Sequence, residues 1–206
     1  VLIDVGQTRH YPYTEPLAHV LGYVAAVSEE ELTGDPLLEL PDFRIGKNGV
    51  ERIHDLALRG RAGNQQVEVN AHGRVIRELS RNEGEAGNDV SLTIDLGLQE
   101  FAAARLGEES ASAAVVDVTN GEVLALASTP SFDPNAFNQG LSHALWRELV
   151  QNERAPLINK AVAGQYPPGS TFKLIVALEA LEGGVVTPAH SVYCPGHMQL
   201  GSHRFH

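Results

Sequence analysis

The stretch 164–182, GQYPPGSTFKLIVALEALE, constrains this chain more than any other. Pro167 and Pro168 fix φ and Gly169 admits angles that other residues avoid, so Tyr166-Pro167-Pro168-Gly169 is a stiff, turning entry. After it, Phe172, Leu174, Ile175, Val176, Ala177, Leu178, Ala180 and Leu181 form an apolar run that ends where Gly183-Gly184 removes the propensity to continue. A helix apolar on nearly every side is expected inside a core. Two polar residues break the pattern, Ser170 in the first turn and Lys173 three residues later. That spacing stacks them on one face, within reach of each other.

The pair has chemical content. A serine hydroxyl is a poor nucleophile unless a neighbour takes its proton. Lys173 has no acid at i±3 or i±4, where Ser170, Gly169, Val176 and Ala177 stand. Burial on such a helix disfavours the ammonium and moves the lysine toward base duty. Ser170 at the helix N-terminus lies beside free N–H groups suited to a developing oxyanion. An S-x-x-K tetrad arises by chance roughly once in a few hundred residues. The plain alternative is a surface helix start with a solvated lysine, and the Pro-Pro-Gly entry and apolar run argue against it.

The 206 residues admit one large domain or two small ones. A net charge of −11 with no basic stripe argues against nucleic acid as a partner. The single cysteine, Cys194, excludes an internal disulfide framework. No apolar stretch approaches membrane-spanning length and no signal peptide is visible. Val1 in strand-like sequence and His206 in mid-motif suggest ends cut from something longer.

Taken in order, Val1 to Val5 and His19 to Val27 read as strands around a turn at Tyr11-Pro12-Tyr13. Ser28, followed by Glu29, Glu30 and Glu31, reads as a helix start. Gly49 to Leu58 reads as a short amphipathic helix, and Gln65–Val69 with Arg74–Leu79 as a hairpin turning at 70–73. Glu51, Arg59 and Arg61 read as structural ion-pairing residues. Arg81 to Gly87 is a polar, Gly-containing boundary. Asp89 to Ile94 reads as a strand, and Asp95 as the cap of a helix to about Leu106. Ala113–Val118 and Glu122–Ser128 form a hairpin through Asn120-Gly121, apolar on both sides and so expected centrally in a helix-covered sheet. Residues 130–135 read as a loop, and Ser142 as the cap of a helix to Asn152. Cys194, His197, His203 and His206 put four possible metal ligands in C-x2-H-x5-H-x2-H, a loose match to zinc spacings, with a His-rich surface loop as the alternative.

Y-P-P-G-S-T-F-K resembles the active-site serine motif of the penicillin-binding proteins, S-x-x-K, which S-D-N and K-T-G accompany. His19-Val20-Leu21-Gly22-Tyr23 and the segment 45–79 are similar to the pedestal, or dimerisation, domain of class B members. AVVDVTNGEVLALAS and PSFDPN are similar to the opening of the elongation-type transpeptidase domain. The resemblance implies an α/β (α+β) transpeptidase-like fold, an antiparallel sheet covered by helices, preceded by a β-rich pedestal remnant. It divides the chain into 1–86 and 87–206.

The implied activity is peptidoglycan D,D-transpeptidation in cell-wall elongation. Ser170 attacks a D-Ala-D-Ala stem peptide, Lys173 takes its proton, and an amine resolves the acyl-enzyme. β-Lactams would acylate the same serine. No cofactor is needed for that chemistry, though some members hold a metal near a Cys before Pro-Gly, which points to a structural zinc at Cys194. Implied partners are a membrane-embedded glycosyltransferase and elongation-complex proteins, at the periplasmic face of the inner membrane, with an anchoring N-terminal segment absent from this sequence. No downstream S-x-N or K-[ST]-G occurs, so these 206 residues alone are expected to be inactive. A septal-type transpeptidase, a β-lactamase or carboxypeptidase, a β-lactam sensor and a non-catalytic assembly module are the alternatives.

Overall fold

The structure, a computed structural model, describes residues 8–205. They form two compact units, the first ending at Gly164 and the second beginning at Gln165. The strand expected at Val1–Val5 lies outside the described residues.

The first unit opens with helix α1, Thr14–Leu21, followed by β1, Val24–Ala26. The strand expected from His19 therefore begins five residues later. Local β propensity at Val20 loses because α1 buries Leu17, Ala18 and His19 as one face. Gly22 ends the helix at φ 80°, and a Cβ there would stand 2.0 Å from the Asn48 carbonyl oxygen. Only glycine fits that approach. β1 pairs antiparallel with β2, Arg44–Gly46. Between them Ser28 caps a single 3-10 turn, Glu29–Glu31, through a capping box.

The helix read over 49–58 is two short helices, α2, Gly49–Ile53, and α3, Asp55–Arg59, meeting at His54. Its expected amphipathic order is reversed: Glu51 is buried, whereas Ile53 and Leu56 are more than three-quarters exposed. The ion-pair partners of Glu51 cause the reversal. β3, Asn64–Val69, and β4, Val75–Asn82, form the expected hairpin, with register shifts that mark bulges.

Asp89–Ile94 is not a strand. It runs extended beside the next hairpin, with Thr93 Oγ1 donating to the Val123 carbonyl (2.7 Å) and the Asp95 N–H to that of Leu124 (2.9 Å), too few bonds for a ladder. Asp95 then caps α4, Leu96–Leu106, accepting from the Leu98 N–H. β5, Ala111–Val116, pairs antiparallel with β6, Val123–Thr129. Among the described residues this sheet has two strands, and β5 exposes every second residue. Helices α1, α4 and α7 (Lys160–Ala163) pack on it.

Gln99 ties three of these elements together. Fully buried, it donates to the carbonyls of Pro16 (2.6 Å) and Leu126 (3.1 Å) and accepts from the Leu126 N–H (2.7 Å). Asp133 and Ser142 cap α5, Pro134–Gln139, and α6, His143–Gln151. The core gathers Ala18, Phe132 and Phe137 with Tyr23, Leu141, Leu149 and Leu157. Tyr23 stacks on Phe137 with ring centroids 3.9 Å apart.

The second unit holds a 3-10 turn, Gly169–Phe172, helix α8, Lys173–Glu182, and a hairpin of β7, Met198–Leu200, with β8, His203–Phe205. α8 ends at Gly183, as expected. It is not buried: Leu174 is 73% exposed, and Ile175, Val176 and Leu178 lie more than half in solvent. The described part of this unit offers one short hairpin and loops, too little chain to surround a helix apolar on every side.

Candidate active site

Ser170 lies inside the 3-10 turn that leads without a break into α8. Gly169 takes φ 53°, the left-handed angle the Pro-Pro-Gly entry requires, and Phe172 and Lys173 are already in right-handed helical geometry. The Thr171 N–H and Oγ1 both return to the Pro168 carbonyl, and the Lys173 N–H donates to the carbonyls of Ser170 and Thr171. The turn is thus closed on itself, which holds Ser170 and Lys173 one turn apart on a continuous helical backbone.

Both side chains are exposed, and among the described residues neither Ser170 Oγ nor Lys173 Nζ makes a hydrogen bond. The burial from which Lys173 was expected to draw its basicity is therefore absent from the described surroundings. A groove of about 410 Å³ runs along the flank of α8, lined by Phe172, Ile175, Val176, Glu179, Ala180, Gly183 and Val185. Ser170 is not in its wall.

Cys194 and His203 are exposed. His197 Nδ1 lies 3.2 Å from Arg204 Nη2, and His203 Nδ1 lies 3.4 Å from Ser202 Oγ. Among the described residues no three His, Cys, Asp or Glu gather as a metal site, and His206 lies outside them.

In the first unit the ion pairs follow the sequence reading. Arg9 holds Glu51, Arg59 holds Asp55 (2.7 Å) and stacks over Phe43, and Arg61 faces Glu85 (3.6 Å). The Tyr11 hydroxyl donates to Glu51 and accepts from the Val24 N–H (3.1 Å). Burial first, then the Glu51 carboxylate, push its phenol above the ordinary range. Sequence reasoning missed Lys160, which is 5% exposed, and nothing local marks it: burial comes from the packing of α7 on β6.

The family model of the penicillin-binding protein dimerisation domain matches residues 1–92, and that of the penicillin-binding protein transpeptidase domain matches 111–205. The chain belongs to the penicillin-binding protein family. Its relatives include the peptidoglycan D,D-transpeptidase MrdA of Escherichia coli K12, 43% identical over 93% of this chain and 31% of its own length. Penicillin-binding protein 3 of Bacillus subtilis is 37% identical over 87% of this chain and 26% of its own. The chain thus spans about a third of the length of the curated relatives it matches.

Among solved structures, PBP2 of Pseudomonas aeruginosa in complex with WCK 5153 superposes with a TM-score of 0.77 at 37% identity, over 96% of this chain and 41% of that one. The Helicobacter pylori PBP2 complex with MreC gives 0.82 at 31% identity, over 96% and 37%. The mixed helix-and-strand architecture with small antiparallel sheets is that of PBP2 transpeptidase-like folds. Among the described residues no helix is long and apolar enough to cross a membrane.

Proposed function

We propose that the protein is a peptidoglycan D,D-transpeptidase of the elongation type, with Ser170 as nucleophile and Lys173 as its general base. The observation that carries this is the self-closed turn at Gly169, which sets Ser170 and Lys173 one turn apart inside the segment matched by the transpeptidase family model. Ser170 Oγ attacks the carbonyl of the penultimate D-alanine of a stem peptide while Lys173 takes the hydroxyl proton. The tetrahedral oxyanion collapses, the terminal D-alanine leaves with a proton, and the acyl-enzyme remains on Ser170. An amine of a neighbouring stem then attacks that ester, forming the cross-link and returning the serine. β-Lactams open on the same hydroxyl. The zinc suggested at Cys194 has no gathered ligand set among the described residues, and no step runs through it.

In this reading 1–86 is the pedestal portion and 87–206 the start of the transpeptidase domain. The protein works at the periplasmic face of the inner membrane. Its partners are a membrane glycosyltransferase and an elongation-complex protein of the MreC kind, by analogy with the Helicobacter pylori complex. The test is turnover by the protein at its natural length, given a stem pentapeptide donor and an amine acceptor. Release of D-alanine together with a cross-linked product is expected. D-Alanine without cross-link would make it a carboxypeptidase, and neither product would refute the assignment.

A further inference from the structure

His19 on α1 and Lys160, the first residue of α7, are 9% and 5% exposed. The His19 ring stands edge-on to Phe132 with centroids 5.2 Å apart, and among the described residues its Nε2 has no hydrogen-bond partner. Its carbonyl accepts from Asn159 Nδ2 (3.4 Å), and Asn159 is the residue that caps α7. Lys160 is pinned from its other side. Its Nζ donates to the Ala155 carbonyl (3.1 Å) and its N–H to Ser128 Oγ (2.9 Å), which itself donates to the Ile158 carbonyl (3.2 Å). Ala155 sits at φ 47°, a left-handed angle that a non-glycine residue keeps only when its surroundings hold it. Among the described residues no carboxylate pairs with Lys160.

A buried imidazole whose Nε2 has no partner among the described residues takes up a proton only at a cost, and a buried ammonium in the same unit adds to it. We propose that His19 is an acid-sensitive seat for α7: its neutral ring stays buried with its carbonyl on the Asn159 cap of α7, and a proton on it releases α7 and the 155–159 turn. The charged groups on the elements around α1 are Glu51 and Arg52 of α2, Glu100 and Arg105 of α4, and Lys160; α5 and β6 carry none. Of these, the charge that acts on the ring is that of Lys160.

Burial first and Lys160 second lower His19 from 6.5 to about 4, partly offset by the carbonyls of Pro156 and Pro130. The unfolded chain therefore takes up the proton first. Stability held above about pH 6.5 is lost as pH falls toward 4.

Hydrogen exchange, corrected for intrinsic rates, tests this at about pH 7 and about pH 5. Protection in 14–22 and 155–163 should fall roughly tenfold or more relative to the β3–β4 hairpin. His19→Gln, which cannot titrate, should abolish the fall, and Lys160→Met should shrink it. Equal protection at both pH values in the wild type overturns the proposal, as does an unchanged fall in His19→Gln. If His19→Gln does not fold, an undiminished fall in Lys160→Met has the same force. The readout makes no use of Ser170 and stands whether or not the protein acylates.

Discussion

Arg9 grips the carboxylate of Glu51, 42 positions further along the chain, through two bonds, Nε to Oε1 at 2.8 Å and Nη2 to Oε2 at 3.3 Å. The Tyr11 hydroxyl, itself buried, donates to the same Oε1 at 3.2 Å. This fixes α2 with Glu51 inward and leaves Ile53 outside. Glu51→Gln should therefore lower stability by about 1–3 kcal/mol, because it weakens two charge-assisted bonds at a buried acceptor. Arg61→Ala removes a pair at 3.6 Å between two largely exposed side chains. It should change stability by less than about 0.5 kcal/mol. Urea midpoints of the two variants beside wild type check the contrast.

Gln99 offers a sharper case, since all its polar partners are backbone groups of α1 and β6. Gln99→Met keeps most of the volume but strands the Leu126 N–H and takes one bond each from the Pro16 and Leu126 carbonyls. The expected loss is about 1–3 kcal/mol, chiefly the desolvation of that N–H. A variant within about 0.5 kcal/mol of wild type would show that water replaces the amide at little cost.

Much of the local structure was legible because its causes are local. Asn120-Gly121 makes a hairpin, Asp95 and Ser142 cap helices by reaching a backbone N–H three residues on, and Gly169 turns because nothing else fits φ 53° as cheaply, whereas the helix that Asp133 caps from Pro134 was read as loop. What was misread depends on distant chain. Glu51 goes inward because of Arg9, and α1 forms because its buried face meets α4, α5 and β6. The apolar run after Lys173 announces burial, yet the described residues supply no cover for it. The serine and lysine were legible as a motif, whereas the groups that would surround them were not.

Lys173 carries the most physical part of the proposal. If it takes the proton of Ser170, an arginine in its place keeps the charge but, with a pKa above about 12, cannot act as base. Lys173→Arg in the natural-length protein should slow β-lactam acylation by on the order of 10²–10⁴, with circular dichroism unchanged. A rate within a few-fold of wild type would assign the base role to another group.

Gly169→Ala probes the corner independently. A side chain at φ 53° costs on the order of 1 kcal/mol and opposes the turn that presents Ser170. Acylation should slow by more than the accompanying loss of stability explains, whereas Gly184→Ala, also at positive φ but beyond α8, should leave the rate untouched. Equal effects of the two substitutions would mean that the corner matters to folding alone.

As the covalent nucleophile, Ser170 should carry the acyl group of a β-lactam. Incubating the natural-length protein with a labelled β-lactam, digesting it and mapping the adduct by mass spectrometry tests this most directly. One stoichiometric adduct is expected on the peptide carrying Y-P-P-G-S-T-F-K, at Ser170 and absent from Ser170→Ala. An adduct on any other residue, or none on a protein shown to be folded, would contradict it.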